Sequence, residues 1–295
     1  MVSSKKNKNG ASSSNWYYLT VVAENVNVQV GLNGLTLINP ETVQWDSRFK
    51  GISTALPVNE WLMPGTNSLD VFIDWPRDVS YEAGKAKVKI MVFLVDPKEE
   101  VVFPSNPKSI ETFATFEFPG SQFKEGFPFT RSVPFEFSQK TECKLWKEAE
   151  KIALKPSNER KTSDDFLLET DQQQIFLLLQ SLQQAIVKKK TATAVELLSY
   201  KWTDVALSNS TRNQQKEEGV FKEQIEMIIK EKPTAQPLDP KTLLFRLGGK
   251  QNVVQVFSLT PDGKTQHPLR FEFKKALFKM PVCVAKIKEN WKIVR

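Results

Sequence analysis

The side chains that could carry acid–base or nucleophilic chemistry are few in this sequence and widely separated. Its 295 residues contain one histidine, His267, so a Ser–His mechanism would have to use it. His267 stands beside Pro268 in a segment predicted as a loop, and no Gly-x-Ser-x-Gly elbow occurs anywhere in the chain. We therefore predict that the protein is not an enzyme.

The carboxylates also have simpler explanations than catalysis. Asp164 and Asp165 precede a predicted helix, where acids cap the first turn and interact favourably with the helix dipole. Asp70 and Asp74 share one face of a predicted strand, and a pair of this kind could cleave glycosides, but a solvated sheet face accounts for it. Gly248-Gly249-Lys250 lacks the rest of a phosphate loop. We predict no cofactor.

Cysteine usage and charge restrict the protein class further. Cys143 and Cys283 have neither CxxC spacing nor a histidine neighbour, so we predict no zinc site and no disulfide scaffold. Net charge is +7, and residues 270–295 hold eight Lys and Arg against two Glu. Nucleic acid is a poor fit there, because alternation puts the Phe side chains and the charges of 269–279 on opposite faces.

The N-terminus and the apolar runs bear on localisation. Residues 1–15 are rich in Ser, Lys and Asn, which predicts a disordered tail, and no apolar segment follows the basic residues as in a signal peptide. No apolar run approaches the ~20 residues of a membrane span. We expect a cytoplasmic protein, or a periplasmic one if a leader has been removed.

Tryptophan and arginine are the strongest candidates for a binding surface. Both residue types dominate interface hot spots, and aromatic rings also stack on sugars. Trp45 and Arg48 fall in a polar link between strands, where exposure is expected. Trp61 and Trp75 flank a predicted strand, and a place in the core or rim of the sheet explains them equally well. These four residues are the predicted partner-binding set.

The first half of the chain reads as an antiparallel β-sandwich over residues 16–138. Pro64-Gly65 predicts a turn, and the strand after Asn67 places Leu69, Val71 and Ile73 on one buried face. Asn33-Gly34 predicts a type I′ hairpin. Many further short runs of alternating apolar residues, separated by Pro, Gly and Asn, are typical of a sandwich or jelly roll.

The second half reads as an α+β domain over residues 162–295, joined to the first by a helical linker at 139–161. Apolar spacings of three and four predict helices over 171–187, 191–208 and 217–230. After residue 239 the period returns to two and predicts an antiparallel meander. The expected fold class is thus an all-β sandwich followed by about three helices and an antiparallel sheet.

Two family resemblances extend this reading. The segment "VQVGLNGLTL … VNEWLMPGTNSLDVFI" resembles the core of galactose-binding-like jelly-roll domains, in which these residues form the turn and core rather than the sugar contacts. The C-terminal half, ending in "NWKIVR", resembles the nuclear-transport-factor-like (SnoaL-like) cone fold. The pairing of the two halves resembles uncharacterised bacterial proteins associated with contact-dependent (type VI) secretion systems.

The resemblances and the missing catalytic set together favour non-catalytic binding of another protein. The most specific form of this prediction is an immunity or accessory protein that acts in bacterial competition, with a toxin or a secretion component as its partner. One alternative is a carbohydrate-binding module that uses the sandwich and its Trp residues. Another is a small-molecule-binding or enzymatic cone, for which a polar cavity near His267 or Asp239 would be required, whereas a cone filled with Phe would oppose it.

Overall fold

The chain divides into two compact units in a computed structural model. The model describes residues 15–39, 51–74, 85–95, 109–119, 128–138, 143–160, 166–208, 214–274 and 276–295. The N-terminal unit comprises Met1–Glu142 with Ser208–Asn213, and the C-terminal unit comprises Cys143–Leu207 with Gln214–Arg295. Among the described residues, helices of four or more residues occur only in the C-terminal unit.

The described part of the N-terminal unit is built from two four-stranded antiparallel sheets. Its strands are β1 (Trp16–Glu24), β2 (Asn27–Leu32), β3 (Leu35–Ile38), β4 (Gly51–Pro57), β5 (Gly65–Asp74), β6 (Lys87–Val95), β7 (Ser109–Pro119) and β8 (Phe129–Phe137). One sheet has the order β4-β1-β6-β7 and the other β3-β2-β5-β8, and every neighbouring pair is antiparallel.

One hydrophobic cluster joins the buried faces of these two sheets, as expected for a sandwich. On β5, Leu69, Val71 and Ile73 are buried and alternate with partly exposed residues, which confirms the predicted period of two. On β1, Leu19 and Val21 enter the same cluster from the other sheet. The alternation therefore exists because each strand has one face in this shared core.

Two predicted turns of this unit have the expected backbone geometry. Asn33 and Gly34 both have positive φ, at 57° and 81°, as a type I′ hairpin between β2 and β3 requires. Gly65 has a φ of 87° at the start of β5, which L side chains rarely adopt. These two turns set the register of β2, β3 and β5.

The C-terminal unit contains four helices and two antiparallel sheets among its described residues. The helices are α1 (Leu145–Glu148), α2 (Glu169–Val187), α3 (Thr191–Ser208) and α4 (Gln214–Lys230). The strands are β9 (Thr234–Ala235), β10 (Leu243–Gly248), β11 (Val253–Leu259), β12 (Thr265–Gln266), β13 (Leu269–Glu272), β14 (Leu277–Met280), β15 (Val282–Ile287) and β16 (Asn290–Ile293).

The helices pack on the sheets through one hydrophobic cluster. The larger sheet has the order β10-β11-β15-β16, with β12 paired to β11, and the smaller has the order β14-β13-β9. On α2, Ile175, Leu179, Leu182 and Ile186 form the buried stripe expected of an amphipathic helix. The three long helices and the antiparallel pairing of the later strands agree with the sequence prediction. The strands do not form one meander, however, because they divide into two sheets and β11 pairs with the distant β15.

The segment predicted as a helical linker is helical over only four residues. Its described residues, 143–160, fall in the C-terminal unit. After α1 the backbone becomes extended at Ala149, and Glu150 and Ile152 donate N–H groups to carbonyls of Lys286 and Gln251. Bonds to β15 and to the turn between β10 and β11 replace the i→i−4 bonds that a longer helix would have made.

The coarse fold prediction is confirmed, since the described chain is rich in antiparallel strands and carries its helices in the C-terminal half. None of the described helices is both long enough and apolar enough to cross a membrane.

Candidate functional site

Of the four residues predicted to bind a partner, the structure describes one. Trp45, Arg48 and Trp75 lie outside the described residues. Trp61 is partly buried and packs against the sandwich core, and its backbone carbonyl accepts a hydrogen bond from Asn33 Nδ2 at 3.0 Å. Trp61 therefore has a structural contact of its own, while a binding role for the set stays a prediction.

His267 lies in a loop, as the sequence predicts, and it is buried. It lies between β12 and β13 with 3% of its surface exposed, and it lines neither of the two hollows described below. Within the described ranges, no group of three or more His, Cys, Asp or Glu side chains is arranged to hold a metal ion.

A buried ion pair lies inside the C-terminal unit, between α3 and the end of the chain. Arg295 Nη2 lies 2.8 Å from Asp204 Oδ2, and the two side chains are 3% and 1% exposed. The other carboxylate oxygen accepts backbone N–H groups from Lys144 and Leu145, and the Cys143 thiol donates to Oδ2 at 3.1 Å. Because a buried charge needs this many partners, the pair anchors α1, α3 and the chain end together.

Both cysteines are free thiols with depressed acidity. Burial raises the pKa of Cys143 to about 12, although the nearby Arg295 acts in the opposite direction. Burial likewise raises the pKa of Cys283 to about 12. A nucleophilic cysteine needs a lowered pKa, so these environments suit structural thiols.

Residues of helix α3 line two hollows. The first is a pocket of about 730 Å³ whose lining residues are mostly of polar types, and we call it the polar pocket. Its α3 residues include Thr193, Glu196, Tyr200 and Thr203. Lys288 comes from the turn between β15 and β16, and Asn290 is the first residue of β16. Tyr200 donates its hydroxyl to Glu148 at 3.0 Å, and burial raises the pKa of this phenol.

The indole of Trp291 borders the polar pocket and is fixed by charge and hydrogen bonding. Its Nε1–H donates to Asp171 Oδ1 at 3.0 Å, and Lys286 Nζ lies 3.1 Å from the same oxygen. Trp291 is 7% exposed, so it offers an edge rather than an open ring face to an occupant. The Trp291 ring is therefore badly placed to stack on a sugar.

The second hollow is an apolar groove of about 370 Å³ between α3, α4 and β14. We call it the apolar groove and define it by the residues that line it: Leu198, Lys201, Trp202, Phe221, Gln224, Ile225, Met227, Ile228, Phe278, Lys279, Met280 and Pro281. Nine of the twelve side chains are apolar, two are lysines, and none is acidic. This composition suits an apolar occupant.

Two residues of the apolar groove are notable. Met227 is 59% exposed, and, like Leu177 on α2 at 47%, it is among the most exposed large hydrophobic residues of the described helices. Trp202 packs its ring against Phe221 with centroids 4.4 Å apart, and its indole N–H finds no acceptor among the described residues. Adaptable Met and aromatic side chains are common in surfaces that bind other proteins.

Sequence reasoning identified the helices of this site but not the groove. The helix predicted over 217–230 has its apolar residues at Val220, Phe221, Ile225, Ile228 and Ile229. The available signal was the width of the apolar surface: with Met227 added, it exceeds the single stripe that packing on one core needs.

No protein-family model, no curated protein and no solved structure matches this chain. The function is therefore argued from the geometry of the two hollows.

Proposed function

We propose that this protein binds another protein without catalysing a reaction, and that the apolar groove is the contact surface. The observation that carries the proposal is the exposed Met227 beside a groove whose lining is mostly apolar. A water-exposed apolar side chain gains about 1–3 kcal/mol when a partner covers it completely. An exposed apolar patch next to a concavity commonly marks an interaction site.

The finer version of the proposal is an immunity or accessory role in a bacterial secretion or competition system, acting in the cytoplasm or periplasm. Its support is the resemblance of the two halves to a galactose-binding-like sandwich and a SnoaL-like cone. Carbohydrate binding by the sandwich rests on Trp45, Trp61 and Trp75, of which only Trp61 is described, and it is the weaker candidate.

The proposal is tested by placing a charge in the groove. In Met227→Asp, a carboxylate replaces an exposed thioether, so recovery of the partner from the native source should fall at least about ten-fold. Leu177→Asp is the matched control, because Leu177 is also an exposed hydrophobic residue of a helix but lines neither hollow.

A partner held by the native chain and Leu177→Asp, and lost with Met227→Asp, supports the proposal. Equal retention of that partner by Met227→Asp, or the absence of any partner whose recovery depends on this position, contradicts it. Unchanged circular dichroism and thermal midpoints of the variants would establish that the fold is intact.

Small-molecule binding is a second candidate, favoured by the size of the polar pocket. A volume of about 730 Å³ lies within the usual range for ligand sites. The interior between helices and sheet is occupied by buried side chains that include Phe245, Phe271 and Trp291, so a cone enzyme with an internal cavity is poorly supported. The ligand site would be the pocket beside α3 instead.

This candidate is tested with a metabolite library and thermal shift. Ser199→Trp would fill the polar pocket and abolish any stabilising shift, whereas Ala192→Trp, an exposed α3 position outside the pocket, would preserve it. A ligand whose shift survives Ser199→Trp binds elsewhere and removes this candidate.

A further inference from the structure

We infer that the polar pocket binds a zwitterion of the size of a short peptide, with a carboxylate at Lys288 and an ammonium group at Glu196. The inference rests on the small-molecule binding proposed above and adds the class of ligand. Three properties of the pocket support it: its length along α3, the charges of both signs in its lining, and the backbone conformation of the turn that carries Lys288.

The polar pocket extends along one face of α3. Thr193, Glu196 and Tyr200 line it at spacings of three and four residues, which place side chains on the same face of a helix. Asp204 lines the same pocket eleven positions after Thr193, which is about 16 Å along the axis at about 1.5 Å per residue. An extended chain spans about 3.3–3.6 Å per residue, so this length has room for about three or four amino-acid residues.

The lining of the polar pocket carries charges of both signs. Lys144, Lys288 and Lys292 line it, and none of their ammonium groups forms an ion pair with a described residue. The Glu196 side chain also lines the pocket and has no ion pair within the described part of the chain. A ligand that carried only one sign of charge would meet like charges in this lining, whereas a zwitterion complements both signs.

The two other acids that line the polar pocket already have partners. Glu148 accepts a hydrogen bond from the Tyr200 hydroxyl at 3.0 Å. Asp204 Oδ2 lies 2.8 Å from the guanidinium of Arg295. Glu196 is therefore the carboxylate of the lining that is best placed to receive an ammonium group from a ligand.

The turn that carries Lys288 favours a role for its side chain. Lys288 and Glu289 form the two-residue hairpin turn between β15 and β16, and both have positive φ, at 49° and 65°. Asn and Gly are preferred at such positions, as at Asn33-Gly34 in the N-terminal unit, because other side chains cost conformational energy there. Backbone strain of this kind is common at functional sites, and binding of an anion in the pocket accounts for the lysine.

The experiment measures binding of unblocked tripeptides to the full-length protein by thermal shift and then by isothermal titration calorimetry. Each tripeptide is also prepared with an acetylated N-terminus and with an amidated C-terminus. We expect saturable binding of unblocked tripeptides that Ser199→Trp abolishes and Ala192→Trp preserves. Affinity should be about three- to ten-fold lower for either blocked form, because exposed charge pairs contribute modestly.

Lys288→Asn combined with Glu289→Gly tests the carboxylate contact. The pair introduces an Asn-Gly turn, so the thermal midpoint should rise by about 2 °C or more. Affinity for unblocked tripeptides should nevertheless fall about three- to ten-fold, while affinity for the amidated forms should stay the same. Glu289→Gly alone is the matched control, because it relieves the same turn but keeps Lys288, and it should bind with native affinity.

Glu196→Gln tests the ammonium contact. Affinity for unblocked tripeptides should fall about three- to ten-fold, and affinity for the acetylated forms should not change. The matched control is Glu223→Gln, because Glu223 is an exposed glutamate of α4 that lines neither hollow. This control should bind every form with native affinity.

The failures of this inference and of the small-molecule function are distinguishable. Tripeptides that bind equally well with either terminus blocked, or no more tightly than free alanine, overturn the inference. A library metabolite whose shift is abolished by Ser199→Trp, with no tripeptide bound, overturns the inference and leaves the small-molecule function intact. Absence of any ligand whose shift is abolished by Ser199→Trp overturns both.

Discussion

The two units bury polar groups in different ways. Among the described residues of the N-terminal unit, the buried polar side chains are uncharged: they are Ser208 and the amides Asn33, Asn59 and Asn67, and each amide is bonded to backbone groups. In the C-terminal unit they include charged groups, Asp171, Asp204 and Arg295, bonded to one another or to Lys286 and Trp291. The amide hydrogen bonds of the first unit fix the conformation of loops. The charged pairs of the second unit connect helices to the C-terminal strands.

This difference predicts how much stability each unit loses when one buried polar side chain is replaced. An amide that loses its partners leaves neutral groups unpaired, at a cost of about 1–3 kcal/mol for each buried group. A buried ion that loses its partner leaves an uncompensated charge, at a cost of about 3–5 kcal/mol. The C-terminal unit should therefore depend more on single side chains.

The largest expected effect comes from removing the guanidinium of the buried ion pair. Arg295→Met leaves Asp204 charged at 1% exposure, and the C-terminal unit should lose about 3–5 kcal/mol of unfolding free energy. Urea titration followed by hydrogen exchange of α3 peptides measures this loss. Adding Asp204→Asn removes the uncompensated charge and should recover part of it, whereas native stability of Arg295→Met would contradict the interpretation.

A smaller effect is expected from the amide network of the N-terminal unit. The Asn67 side chain accepts from Met63 N and Asn33 Nδ2, both at 2.9 Å, and donates to the carbonyls of Met63 and Gly65. Asn67→Ala leaves the two donors unpaired and should cost about 2–3 kcal/mol by urea unfolding of β5. Thr66→Ala, at an exposed neighbour, should change stability by less than about 0.5 kcal/mol.

The smallest expected effect is a difference between the two units in how their unfolding free energies depend on pH. Because burial raises the pKa of the two thiols of the C-terminal unit from the ordinary 9.0 to about 12, the unfolded chain loses these protons first. Their stabilisation is complete below pH 9 and falls as the pH rises from 9 towards 12. At pH 10 we expect a loss of about 1 kcal/mol for each thiol relative to pH 8.

Urea unfolding at pH 8, 9 and 10 measures the slope of unfolding free energy against pH. Staying at or below pH 10 limits the contribution of Tyr200, whose pKa is also raised. Cys143→Ala combined with Cys283→Ala should flatten the slope. A slope that is equal in both units, or unchanged in the double variant, would show that the thiols are not its cause.

Sequence patterns were sufficient for the elements because local rules and burial agree there. The alternation of Leu69, Val71 and Ile73, the Asn33-Gly34 hairpin and the helical spacing of α2 and α3 all follow from one buried face per element. The linker predicted as helical over 139–161 is α-helical only at Leu145–Glu148 among its described residues, because the backbone bonds of Glu150 and Ile152 go to residues more than 90 positions away in sequence. Nothing in the local pattern encodes those bonds.

The candidate site was not predictable from local signals for the same reason. The apolar groove brings together residues of α3, α4 and β14 that are separated by dozens of positions. The Asp204–Arg295 pair likewise joins a helix to the chain end. Composition suggested binding surfaces at Trp45, Arg48, Trp61 and Trp75 because residue type was the only information available, and exposure depends on the tertiary packing.

Helix α3 is a common wall, with Tyr200 facing one hollow and Trp202 the other. Any occupant that shifts this helix on one side alters the free energy of occupancy on the other, and thermodynamic linkage makes the two influences equal. A metabolite in the polar pocket and a protein in the apolar groove would thus change each other's affinity through a movement of α3.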